Sequence, residues 1–88
     1  MSCYIVSYDV AQPGDYGPLY DKIKAYSTWA KITESTWAIV TDQTAQVIRD
    51  NLATTLKPAD RLIVVRSGVE SAWFSLPANV SEWLKKYL

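Results

Sequence analysis

The chain has 88 residues, 49% hydrophobic and 12% aromatic, with nine basic residues against nine acidic ones and no histidine. That length suits one domain (residues 1–88), burying roughly 60–65% of its unfolded surface. Balanced charge argues against a binder that works chiefly by neutralising phosphates, and the missing histidine excludes histidine bases and histidine-ligated metals. The single cysteine, Cys3, is read as a buried thiol. No apolar run is long enough to span a bilayer and no signal peptide is recognisable, so the expected setting is the cytoplasm. Gly14, Gly17 and Gly68 are too scattered for a phosphate-binding loop or a dinucleotide fingerprint.

The first strand is expected over Cys3-Tyr4-Ile5-Val6-Ser7-Tyr8-Asp9-Val10. Alternation puts Tyr4, Val6 and Tyr8 on one side and Cys3, Ile5, Ser7 and Asp9 on the other. Asp9 ends the apolar run at the lip of the sheet, before the turn formers 11–15. A carboxylate there can cap the turn through backbone N–H groups, or it can meet a ligand. Asp15 can join it as a second carboxylate or simply serve the turn.

Gly17-Pro18 reads as a helix start, with a helix from Pro18 to Tyr26. Its stripe of Tyr16, Leu19, Tyr20, Ile23 and Tyr26 has the spacing of a core face, although Tyr16 and Tyr20 also lie close enough to Asp9 to line a cleft. A strand from about Trp29 to Thr33, a turn at Glu34-Ser35 and a strand from Trp37 to Thr41 follow. Asp42 or Thr44 can cap a second helix through about Leu56, burying Ala45, Ile48, Leu52 and Leu56. The run from Asp60 to Arg66 is a fourth strand, and its continuous apolar centre predicts burial on both faces. Residues 72–76, with Trp73 and Phe74, read as a short edge strand or a docking segment. A last helix after Pro77 has Asn79 and Glu82 at capping-box spacing, and Val80, Trp83, Leu84 and Tyr87 on one face.

The order β-α-β-β-α-β plus an appendage predicts an α+β, ferredoxin-like βαββαβ fold, with a core over 3–66 and the appendage over 72–88. Two helices would cover one face of a four-stranded antiparallel sheet, with strands one and four, the most apolar, expected at its centre. The last helix, a second subunit or both would cover the other face, and a homodimer through that sheet face is the expectation.

Tyr4-Ile5-Val6-Ser7-Tyr8-Asp9-Val10 resembles the first strand of the CRISPR-associated protein 2 family, which ends in a Tyr-Asp pair. Ser35-Thr36-Trp37 resembles the start of the family's third strand, and the run from Asp60 to Arg66 its fourth. Trp73 and the Trp83 helix fall outside the pattern. The resemblance implies a ferredoxin-like homodimer with sheets packed face to face, its Asp9 counterpart near the two-fold axis and tied to divalent-metal nuclease activity. It equally implies a scaffold, since family members also act without cleaving, at the centre of the spacer integrase. Virulence-associated protein D toxins, proposed ribonucleases, are more distant relatives of that fold.

Three functional readings follow. In a metal-dependent endonuclease acting on RNA or DNA, Asp9 would be the catalytic residue and the ligand to Mg²⁺ or Mn²⁺. Ser7 and Tyr8 would then orient water and Arg66 would contact phosphate. In a non-catalytic scaffold or protein-binding dimer, Trp73 and Phe74 would meet a partner protein. In an RNA-recognition sheet, Tyr4 and Tyr8 would stack bases, but the aromatic-glycine motif of such sheets is absent.

Overall fold

The computed structural model describes residues 1–11 and 16–88. Within them the elements are β1 (Ser2–Asp9), α1 (Gly17–Lys24), β2 (Thr28–Thr33), β3 (Thr36–Thr41), α2 (Ala45–Ala53), β4 (Arg61–Arg66) and α3 (Ala78–Tyr87). The architecture is α+β, a four-stranded antiparallel sheet in the order β2-β3-β1-β4 with three helices. The inner strands are therefore β1 and β3, and β4 is an edge, which corrects the expectation that strands one and four are central.

Side-chain alternation along β1 builds two cores. On one face Tyr4, Val6 and Tyr8 pack with Trp37 and Ile39 of β3 beneath Leu19 and Ile23 of α1 and Ile48 and Leu52 of α2. On the other, Cys3, Ala38 and Val40 pack beneath Val80 and Leu84 of α3. Trp83 Nε1 donates to Thr28 Oγ1 at 2.9 Å, tying α3 to the β2 side of the sheet. Beyond Cys3 and toward β4, this second face is less covered among the described residues, and Ile63 and Val65 are 58% and 47% exposed. Burial of β4 on both faces is thus corrected. Leu62 and Val64 pack into the first core, while the alternate residues face outward.

Local chemistry sets the element ends. Thr44 Oγ1 accepts from Val47 N at 3.3 Å and caps α2. The helix stops at Ala53, short of Leu56, because Thr54 and Thr55 turn their hydroxyls back onto the carbonyls of Asn51 and Leu52 at 2.7 and 2.8 Å. In α1 the cap is Tyr16, one residue before Gly17, and the helix ends at Lys24 rather than Tyr26. In α3 Pro77 is the cap, so Asn79 lies inside the first turn and forms no capping box. Residues 72–76 form no strand, and Ser75 sits in the left-handed region at φ 59°, at a cost of about 1–2 kcal/mol. No helix among the described residues is long and apolar enough to cross a membrane.

The α3 clamp is tested by Leu84→Ala, whose fully buried side chain joins α3 to the second core. Urea unfolding should report a loss of about 2–5 kcal/mol. Lys85→Ala, which removes an exposed pairing with Glu82 at 3.8 Å, should change stability by about 0.5 kcal/mol or less.

Candidate functional site

Asp9 is the last residue of β1, and its alternation places it with Ser7 on the second face, at the end that α3 leaves bare. The antiparallel register then decides its neighbours. Asp9 pairs with Arg61, Ser7 with Ile63 and Ile5 with Val65, so the start of β4, not its end, reaches Asp9. Ser7, Asp9, Arg61 and Ile63 border a shallow depression of about 220 Å³. Ser7 Oγ lies 3.2 Å from Thr36 Oγ1, which holds that hydroxyl within the sheet. The Asp9 side chain is exposed and, among the described residues, makes no hydrogen bond or ion pair.

The other two expected helpers lie elsewhere. Tyr8 is buried on the opposite face, where its hydroxyl donates to Glu34 O at 3.3 Å and accepts from Trp37 Nε1 at 3.2 Å. Burial raises its pKa above the usual phenol value, the Tyr20 hydroxyl adds to the rise, and the Trp37 N–H partly opposes it. This phenol is a neutral core group, not a water-orienting partner of Asp9. Arg66 pairs with Tyr4, five residues along β1 from Asp9 or roughly 17 Å, and on the other face. The structure sets Ser7 on the face of Asp9, turns the Tyr8 hydroxyl to the opposite face and leaves Arg66 at the far end of the strand.

A different carboxylate reaches the chain just after β1. Asp60 Oδ2 accepts from Lys57 N at 2.8 Å and Oδ1 from Ala11 N at 3.0 Å, so this side chain ties the loop after β1 to the loop before β4. Those two backbone N–H groups, Lys57 first, lower its pKa by favouring the charged form. Asp15 lies outside the described residues. Among the described residues no group of three His, Cys, Asp or Glu side chains could hold a metal ion. With both Asp60 oxygens accepting from backbone N–H groups and Arg61, not a carboxylate, as the ladder partner of Asp9, the described residues of one chain do not fit a divalent cation.

The aromatic stripe of α1 does lie beside this end of the sheet. Tyr8, Asp9, Tyr16, Tyr20 and Glu34 border a cleft of about 220 Å³. The rings are occupied with one another, however. Tyr16 and Tyr20 stack at 5.6 Å, Tyr20 meets Trp37 at 5.2 Å, and Lys31 Nζ sits 5.0 Å from the Tyr20 ring. Tyr4 and Tyr8 lie under α1 and α2, so an RNA-recognition surface built on them is corrected.

Trp73 and Phe74 part company. The Trp73 indole packs into the second core and donates to Ser81 Oγ at 3.0 Å, whereas Phe74 is 91% exposed. The segment holding them arches over a cavity of about 330 Å³ lined by Ile5, Ile32, Val65, Trp73, Leu76 and Leu84 among others. Arg61 and Ile63, the neighbours the register supplies, were not among the residues expected from sequence. The signal for them was the antiparallel rule itself, which pairs the end of strand one with the start of strand four.

No family model, curated protein or solved structure matches this chain.

Because folding lowers the Asp60 pKa, its stabilising contribution is complete above the ordinary carboxylate range and is lost as pH falls through the lowered value. Thermal melts of wild type and Asp60→Ala should differ most near neutral pH and converge in acid. A gap that widened on acidification would contradict this assignment.

Proposed function

We propose that this chain is a ferredoxin-like assembly module, a divergent relative of CRISPR-associated protein 2, that works as a homodimer through the bare half of its sheet face. The observation that carries this reading is the exposure of Ile63 and Val65, at 58% and 47%, in the middle of a strand whose alternate residues are packed. An apolar strip on a sheet face gains roughly 25 cal/mol for each Å² it removes from water, and a two-fold axis lets the same strip cover itself. The fold reading is supported by the strand order from the other edge, β4-β1-β3-β2. The helix-bearing crossovers β1-α1-β2 and β3-α2-β4 each pass over one intervening strand, and both helices pack on the same face, as a split βαβ pair requires.

The scaffold reading stands ahead of the nuclease reading because, among the described residues, the surroundings of Asp9 supply no second free carboxylate and do supply a cation, Arg61. One observation still favours the nuclease: the Asp9 carboxylate is exposed at a strand end with no side-chain partner among the described residues. That reading requires a second chain to complete the site.

Sedimentation of the wild-type chain should report self-association. Val65→Asp should weaken association through the face at least tenfold, with the circular dichroism spectrum unchanged. A chain that stays monomeric at high micromolar concentration overturns the dimer. In parallel, single-stranded RNA and duplex DNA incubated with Mg²⁺ or Mn²⁺ should remain intact with both wild type and Asp9→Ala. Metal-dependent cleavage that disappears in Asp9→Ala would instead establish the nuclease.

A further inference from the structure

The free edge of β4 is a second, separate feature of this strand. Ser67 N donates to Cys3 O at 2.9 Å, which makes Cys3–Ser67 a hydrogen-bonded pair in the β1–β4 ladder. Alternation then makes Ile5–Val65, Ser7–Ile63 and Asp9–Arg61 the other bonded pairs. The backbone N–H and C=O groups of Leu62, Val64 and Arg66 consequently point away from β1, along the sheet edge. No further strand pairs with that edge among the described residues. Natural edges are commonly blunted by proline, bulges or a charge in mid-strand. β4 has none of these: its sequence is Arg-Leu-Ile-Val-Val-Arg, with charge only at its two ends.

We infer that β4 pairs with β4 of a second copy, antiparallel about a two-fold axis at Ile63, to continue the sheet across two chains. An axis perpendicular to the sheet keeps the faces in register only if it passes through a residue position. With Ile63 on the axis, Leu62 and Val64 form bonded pairs with Val64 and Leu62 of the copy. Val65 faces Arg61, and Asp60 faces Arg66, twice. That last pairing chooses the register, since it sets a carboxylate against a guanidinium at each end and brings no like charges opposite one another. Asp60 is held as a carboxylate by Lys57 and Ala11, and Arg66 has no ion-pair partner among the described residues. Shifting the axis to Val64 would set Arg66 against Leu62 and lose the direct charge pairing.

This inference goes beyond packing through the sheet face and fails independently of it. Face packing uses the Ile63 and Val65 side chains, whereas edge pairing uses β4 backbone and Arg66, which lies on the other face. The test combines sedimentation with disulfide cross-linking of the full chain. Arg66→Asp should weaken association at least tenfold, and Arg66→Lys should restore most of it. Val65→Asp should leave edge-paired species in place, because the new carboxylate faces Arg61 of the copy. Ile63→Cys should cross-link to itself under mild oxidation, its two Cα atoms about 4.5 Å apart across a non-bonded pair. Val65→Cys should not, since its own copy lies four residues away along the strand. Association abolished by Val65→Asp but indifferent to Arg66→Asp would overturn the edge and leave the face. A monomeric wild-type chain, or equal cross-linking at both positions, would also overturn it.

Discussion

Three helices do not cover both faces of this four-stranded sheet, and the rest of the structure follows from where they run short. Alternation along β1 sends Tyr4, Val6 and Tyr8 to one face and Cys3, Ile5, Ser7 and Asp9 to the other. Both sides of an inner strand therefore need a roof. On the first face α1 and α2 provide it across the sheet. On the second, α3 is anchored by the Trp83–Thr28 hydrogen bond to the β2 side, and its cover ends before β4. The strip left bare, with Ile63 and Val65 at its centre, is the price of that placement.

The same register governs the chemistry near Asp9. Antiparallel pairing brings Arg61 to the aspartate and carries Arg66 to the far end of the strand. Alternation takes Tyr8 through the sheet, where Trp37 and the Glu34 carbonyl engage its hydroxyl. The carboxylate with a defined structural task is Asp60, which fastens the loop after β1 to the loop before β4. What remains around Asp9 among the described residues is a shallow rim, with Arg61 its ladder partner, beside an apolar strip, an arrangement suited to contact between surfaces rather than to enclosing a substrate.

Both proposed associations converge on β4 because that strand is left incomplete in two directions. Among the described residues its second face lacks a helix and its edge lacks a neighbouring strand. Exposed apolar side chains and unpaired ladder groups are separate sources of association free energy, one from dehydration and one from backbone hydrogen bonding. A strand holding both can join a second copy by its face, its edge or both in turn.

Much of this was legible in the sequence. Element types, the parity of β1, the turn at Glu34-Ser35 and the core stripes of α1, α2 and α3 follow from local periodicity, because a side chain's direction depends only on its own backbone. The edge position of β4 was not legible. An unbroken run such as Leu62-Ile63-Val64-Val65 reads alike whether its second face is covered by the same chain or left bare. Nor could composition say which arginine stands near Asp9, or that Asp60 binds the backbone of Ala11, since both depend on pairing between segments some fifty residues apart. The sequence by itself determined which residues share a face; the tertiary structure decided which faces meet, because that choice belongs to strand register and to where α3 can be anchored.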